Sequence, residues 1–207
     1  MAVLPTPIQE ISHPLLVEKQ IEMFVKRDDL IHPEIMGNKW RKLKYNLLEM
    51  REKGLSKLVT MGGAYSNHIA ATAAAAHENG FKAIGIIRGE ELMVSSNPTL
   101  EFAHSKGMQL EFVNRDIFRG WRENTSILKE KYPDHYFLPE GGTNELAING
   151  CAELMDEINI DFDSIITPIG TGGTFAGMVA GGKGQRKIIG ISCLKGDFIH
   201  SYISELL

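Results

Sequence analysis

Three short segments carry side chains whose types and spacing could do chemistry. The first is Gly37-Asn38-Lys39-Trp40-Arg41-Lys42. Lys39 is expected in the first turn of a helix, where the positive end of the helix dipole disfavours an ammonium ion. Arg41 and Lys42 add like charge nearby, and the combination favours a neutral amine able to attack a carbonyl carbon. Lys42, three residues on, shares the face of Lys39 and could pair with an anionic ligand. An ordinary solvated basic face is the commoner explanation of such a segment taken alone.

The second segment is Ile169-Gly170-Thr171-Gly172-Gly173-Thr174-Phe175-Ala176-Gly177, placed after an expected strand and opening an expected helix. Glycines let successive backbone N–H groups converge on an anion, and the helix N-terminus adds a favourable dipole. Thr171 and Thr174 could add hydroxyl donors, so a phosphate cradle is physically sensible. A tight strand-to-helix turn that needs only small residues is an equal reading. The Gly-Lys-Ser/Thr of a nucleotide-binding P-loop is absent. A dinucleotide site wants an acidic residue about 20 positions further on; the next strand ends in Ser192-Cys193-Leu194-Lys195, and Asp197 arrives late. The third segment, Gly62-Gly63-Ala64-Tyr65-Ser66-Asn67-His68, is another strand-turn-helix junction. Ser66 reads first as an N-cap and Asn67 as a first-turn residue, while His68 is open between a site role and a surface one.

The elements that must position these residues follow from the periodicity. Residues 1–36 contain Pro5, Pro7, Pro14 and Pro33 and read as irregular, with one short strand at 21–26. Apolar positions Leu43, Leu47, Leu48 and Met50 recur at helical spacing and predict a helix over 39–53, with Asn38 as its N-cap and Gly54 as its stop. Strands are predicted at 57–61, 82–88, 109–113, 135–138, 164–169 (buried) and 187–192. Helices are predicted at 67–79, 99–106, 121–131, 144–159 and 173–180, and a last one begins near Ser201. The stretch 93–99 reads as a loop. Strands alternating with helices of this length imply βαβ units and a mainly parallel, doubly wound α/β architecture.

Composition narrows the function. The 207 residues include 22 Lys+Arg and 26 Asp+Glu, a formal net charge of -4, which argues against a nucleic-acid footprint. No apolar run reaches the roughly 18–20 residues a membrane helix needs. Cys151 and Cys193 cannot make a disulfide scaffold. The histidines show no metal-ligand pattern, so no metal is expected. The N-terminus lacks a basic segment followed by an apolar run. A soluble protein of a reducing, cytoplasmic compartment is the expectation.

Taken together, the order Gly-Asn-Lys, Gly-Gly-x-x-Ser-Asn-His and Gly-Thr-Gly-Gly-Thr resembles the pyridoxal-phosphate enzymes of the tryptophan synthase β-subunit fold (fold type II). The branch it is most similar to is 1-aminocyclopropane-1-carboxylate deaminase/D-cysteine desulfhydrase, whose Lys-Arg-Asp-Asp-Leu run stands here at Lys26–Leu30. The likeness extends from Pro5 to Asp197. It implies that Lys39 carries the pyridoxal 5′-phosphate as an internal aldimine and acts as catalytic base. It also implies that Lys42 reaches the phosphate and that Gly170, Thr171, Gly172, Gly173 and Thr174 cradle it. By the same resemblance Asn67 bonds the ring oxygen. Ser66 faces the substrate as a carboxylate contact or catalytic hydroxyl, with Tyr65, Asn67 and His68 beside it. A large cofactor-binding domain (1–40 and 139–207), a small inserted α/β domain (41–138) and a homodimer are implied, as is a small amino-acid substrate. Members run longer, and their tail supplies the partner of the pyridine nitrogen and a substrate-facing tyrosine, so the chain is expected to lack that C-terminal part. Two alternatives stand beside this reading: a catalytically weak relative that binds a phosphorylated ligand, and a nicotinamide-dependent oxidoreductase.

Overall fold

The computed structural model describes residues 1–193 and 198–207. In chain order its elements are β1 (Ile8–Ile11), α1 (Pro14–Glu18), β2 (Met23–Lys26), α2 (Asn38–Glu52), β3 (Lys57–Gly63), α3 (Asn67–Glu78), β4 (Lys82–Arg88), α4 (Pro98–Ser105), β5 (Gln109–Val113), α5 (Arg115–Glu123), α6 (Ser126–Lys131), β6 (Tyr136–Leu138), α7 (Glu145–Asp156), β7 (Ser164–Ile169), α8 (Gly173–Gly182), β8 (Lys187–Ser192) and α9 (Phe198–Leu206).

The central sheet has the strand order β5-β4-β3-β6, all parallel. Alternation along its strands feeds two layers. Leu58 and Ile87 face α3 with Ile69, Ala73, Ala76, Leu100 and Met50. Val59, Met61 and Ile86 face Phe118 of α5 and Leu128 of α6. The second side of α3 buries Ala71, Ala74 and Ala75 against Leu43 of α2, Ile35 and Leu138. A helix made of alanines can be covered on both sides because no side chain holds its neighbours away. The winding reverses between β3 and β6, and in open α/β sheets ligands bind outside the carboxyl ends of the strands at such a switch point. The two loops that leave those ends, 64–66 and 139–144, are therefore the ones to examine.

A second, two-stranded parallel sheet pairs β7 with β8. Ile169 packs there against Ile199 and Ile203 of α9, with Phe175 beside them. The expectation that 164–169 is a buried strand is corrected: Ile166 is 62% exposed, because α8 and α9 cover one face and the other is open among the described residues. Two glycines allow the close helix contacts below the site. A Cβ on Gly150 of α7 would lie 2.1 Å from the Arg41 carbonyl oxygen of α2, and one on Gly177 of α8 would lie 2.4 Å from Cys151 Cβ. Neither position tolerates a side chain without the helices moving apart.

Other departures from the sequence reading have local causes. Residues 1–36 are less irregular than expected: β1 pairs antiparallel with β2, Ile8 opposite Lys26 and Ile11 opposite Met23, a four-residue strand hidden between prolines. The single helix expected at 121–131 is two, α5 and α6. Asn124 Oδ1 accepts from the Ser126 N–H (3.3 Å) and from Ser126 Oγ (2.7 Å), local bonds that compete with the helical ladder. The loop expected at 93–99 contains a 3₁₀ turn at Val94–Ser96 and the buried Asn97, which caps α4 by accepting from the Leu100 N–H (3.1 Å). Asn38 is not the N-cap of α2. Gly37 is, at φ 62° and without a side-chain cap, and Asn38 is the first helical residue. Asp197, considered above as a late acidic residue, lies outside the described residues.

Candidate cofactor and substrate site

The start of α2 is held by a buried ionic network. Arg41 is fully buried. Its Nε and Nη2 donate to both Asp28 carboxylate oxygens (2.7 and 2.9 Å), and its Nη1 and Nη2 donate to both Glu157 oxygens (2.7 and 3.0 Å). Lys26 Nζ adds a bond to Glu157 Oε2 (2.7 Å), and Thr6 Oγ1 donates to Asp28 Oδ1 (2.7 Å). The Lys26–Leu30 run thus has a physical task, which is to clamp the helix that carries Lys39 and Lys42. Arg41 and Lys26 hold the Glu157 carboxyl down at about 2 against the burial that opposes them.

With Arg41 pointed into two carboxylates, its expected part in neutralising Lys39 is corrected. Burial is what lowers the Lys39 pKa. Lys42 is 2% exposed, and burial, with the charge of Lys39 second, pushes its ammonium down to about 7. Lys42 Nζ donates to the Gly141 carbonyl oxygen (3.1 Å), Thr143 Oγ1 (2.9 Å) and Thr171 Oγ1 (3.2 Å). It therefore ties the 141–143 loop at the switch point to the glycine turn before α8. Neither Lys39 nor Lys42 forms an ion pair among the described residues.

The glycine turn sits as the sequence placed it, between β7 and α8. Gly172 caps α8 at φ 70°, a left-handed conformation that favours glycine. A Cβ on Gly173 would lie 3.1 Å from Lys42 Nζ, whereas one on Gly170 would meet nothing within 4 Å. The turn is thus closed at Gly173 by Lys42, closed at Gly172 by Ile203 of α9 and open at Gly170. Asn38 Nδ2 donates to Thr174 Oγ1 (2.6 Å), joining the N-termini of α2 and α8. Two lysines without carboxylate partners, two hydroxyls and the positive end of the α8 dipole form a set that fits a phosphate monoester.

Around the third segment, Ser66 caps α3, its Oγ accepting from the Ile69 N–H (3.3 Å). Asn67 is exposed and Tyr65 is 75% exposed. His68 turns inward and is buried. Its Nε2 lies 2.7 Å from Thr60 Oγ1, whose own hydrogen goes to the Leu138 carbonyl oxygen (2.9 Å). Nε2 is therefore the donor and Nδ1, 3.4 Å from Thr72 Oγ1, is unprotonated. Burial, then the charges of Lys39 and Lys42, hold its pKa well below the usual value, so the ring is neutral. His68 braces β3, β6 and α3 just beneath the 139–144 loop.

The structure thus brings Lys42, Thr171, Gly173 and Thr174 together with Asn38, read from the sequence only as a cap, and with Gly141 and Thr143, which sequence reasoning did not assign to the site. In the sequence, the Gly141-Gly142 pair followed by the polar Thr143-Asn144 is the signal that points to this loop. No group of three or more His, Cys, Asp or Glu among the described residues could hold a metal ion, and no helix among them is long and apolar enough to cross a membrane.

The low Lys42 pKa has a consequence for stability. Between pH 7 and the ordinary lysine range near 10.5 the unfolded chain binds a proton at Lys42 that the folded chain does not, so this residue makes stability rise with pH there. Urea unfolding of the native protein and Lys42→Met from pH 6.5 to 9.5 should show the difference shifting in favour of the native protein as pH rises. A constant difference would mean that Lys42 keeps its charge on burial.

A sequence model of the family described as "Pyridoxal-phosphate dependent enzyme" matches residues 1–205. A Thermotoga maritima protein provisionally named 1-aminocyclopropane-1-carboxylate deaminase is 35% identical over 191 residues, which are 87% of this chain and 60% of that protein. The Arabidopsis thaliana protein named bifunctional D-cysteine desulfhydrase/1-aminocyclopropane-1-carboxylate deaminase, mitochondrial, is 30% identical over 230 residues, 100% of this chain and 57% of that one. The chain therefore spans less than two thirds of these relatives. Among solved structures, one described as an ACC deaminase homologue superposes with a TM-score of 0.83 at 28% identity, covering 99% of this chain and 66% of that one. Serine racemase from Dictyostelium discoideum superposes with a TM-score of 0.71 at 21% identity, over 91% and 60%, a likeness of fold. The fold is that of the tryptophan synthase β-like enzymes.

Proposed function

Since the chain belongs to the family of pyridoxal-phosphate-dependent enzymes, we propose that it serves the deamination of a small amino acid, with Lys39 as the residue that binds the cofactor covalently. The observation that carries this reading is the placement of Lys39 in the first turn of α2, without a carboxylate partner, three residues before Lys42, which reaches the glycine turn that opens α8. The names of the relatives supply the substrate class. The candidates are 1-aminocyclopropane-1-carboxylate, which with water gives 2-oxobutanoate and ammonia, and D-cysteine, which with water gives pyruvate, sulfide and ammonia.

The residues of this chain divide the work. Lys42 Nζ, Thr171, Thr174 and the amides of the glycine turn bind the phosphate. Binding an anion there favours the charged form of Lys42, which burial otherwise penalises. Lys39 Nζ, driven toward the neutral amine by burial, is the nucleophile for the aldehyde and afterwards the group that takes and returns a proton at a substrate carbon. Asn67 and the Ser66 hydroxyl face the open side of the loop, where they bind substrate and ring. His68, neutral and pinned to Thr60, keeps that loop in register. When bound, the cofactor supplies an electron sink for the bond that is broken.

Titration with pyridoxal phosphate, followed by visible absorption, tests the reading. A yellow protein that releases ammonia from one of the two amino acids supports it, and a protein that stays colourless overturns it. A phosphate-binding relative with little turnover would develop no reducible colour while still binding pyridoxine phosphate, which has the phosphate and lacks the aldehyde. The family match leaves the nicotinamide-dependent alternative without support.

A further inference from the structure

A second concentration of positive charge lies apart from the lysines. Arg88, Arg115, Arg119 and Arg122 line a single cavity of about 540 Å³ with Glu91, Ala64, Tyr65, Leu92 and Phe118. Four guanidinium groups against one carboxylate leave the wall with three net positive charges, in a chain whose formal net charge is -4. Three of the four come from α5, at spacings of four and three residues, which places them on one helix face. Like charges at that spacing repel, so the arrangement is costly unless an anion relieves it.

The neighbouring carboxylates offset that repulsion only in part, as ion pairs without hydrogen bonds. Arg115 lies 3.7 Å from Glu91, Arg119 3.6 Å from Asp116 and Arg122 3.8 Å from Glu140, all beyond hydrogen-bond distance. Arg88 has its guanidinium 5.7 Å from the Phe118 ring centre. None of the four makes a side-chain hydrogen bond among the described residues, so their donors remain for a ligand. The cavity has a defined place in the fold: Arg88 ends β4, Ala64 and Tyr65 follow β3 and Arg115 opens α5 after β5. It therefore lies outside the carboxyl ends of the strands, where ligands bind in sheets of this kind.

We infer that this arginine-lined cavity is an anion site that takes a compact dianion, either a dicarboxylate or a phosphate monoester. Guanidinium forks match both, since each presents paired oxygens to two parallel N–H groups. The site does not depend on Lys39 or on the cofactor.

Isothermal titration calorimetry with malonate and with methyl phosphate tests this, on the native protein, Arg115→Gln/Arg119→Gln and Arg119→Gln alone. Each titration is repeated on Lys42→Met, which takes the lysine from the glycine turn and leaves the arginine cavity intact, so that uptake of the probe at the turn is told apart. The native protein should bind at least one of the two, and the tighter probe names the group. The double variant should bind at least about tenfold more weakly, and Arg119→Gln alone serves if the double variant does not fold. Arg186→Gln, which alters an exposed arginine paired with Asp161 elsewhere, should bind as the native protein does. Absence of binding by the native protein, or equal binding by native and Arg115/Arg119 variants, would overturn the assignment.

Discussion

Replacing Lys39 by alanine abolishes the yellow, borohydride-reducible adduct with pyridoxal phosphate while leaving phosphate binding largely intact. The reason is geometric. Lys42, not Lys39, holds the hydrogen bonds to Gly141, Thr143 and Thr171, so the cradle survives truncation of its neighbour. Lys39 is half-buried, and burial lowers its pKa toward the free amine. Turnover should fall roughly 10²- to 10⁴-fold, the range for losing a positioned proton-transfer group, with loss of the covalent step adding to it. The check is borohydride reduction followed by peptide mapping. A label that moves to Lys42, or is retained at full yield in Lys39→Ala, would remove Lys39 from the proposed role.

The second large effect is on stability. Arg41→Ala leaves the Asp28 and Glu157 carboxylates, each about 15% exposed, without the guanidinium that bridges them. Breaking a buried pair from one side costs roughly 3–5 kcal/mol, and for a chain of this length each kcal/mol lowers the melting temperature by about 2–4 °C. A drop of roughly 6–20 °C is expected. The pH dependence gives a second reading. A carboxyl held at about 2 when folded stabilises fully above its unfolded value near 4.5, and that contribution is lost as pH falls toward 2. The gap between native protein and Arg41→Ala should therefore narrow over that acid range, because protonated carboxyls no longer need the guanidinium. Melting curves at pH 7 and pH 3.5 decide it; a variant that melts with the native protein at both would mean that the network contributes specificity and no stability.

Most elements were legible because their signals are local. The strands at 82–88, 109–113, 164–169 and 187–192 fall where alternation put them, and Ser66 caps α3 as its type suggests. The misreadings are those where a distant partner or a side-chain bond outweighed the local pattern. β1 exists only because β2 pairs with it across the segment that holds α1. Asn38 has the side chain of a cap, yet it spends its amide on Thr174, 136 residues away. Arg41 looks like part of a basic face and is instead the most deeply buried cation among the described residues, since Asp28 and Glu157 approach it from the N-terminal segment and from the end of α7.

By itself, then, the sequence determined the parallel α/β order, the two glycine turns and the lysines beside them, because each depends on residues a few positions apart. Tertiary structure alone decided which lysine is bonded into the cradle, which histidine is turned inward and neutral, and that four arginines share one cavity. Those outcomes depend on burial and on contacts between segments roughly a hundred residues apart, such as Lys42 with Gly141 and Thr171. A one-dimensional pattern carries no record of such distances; only the folded sheet and the helices packed on it bring the charges within reach of one another.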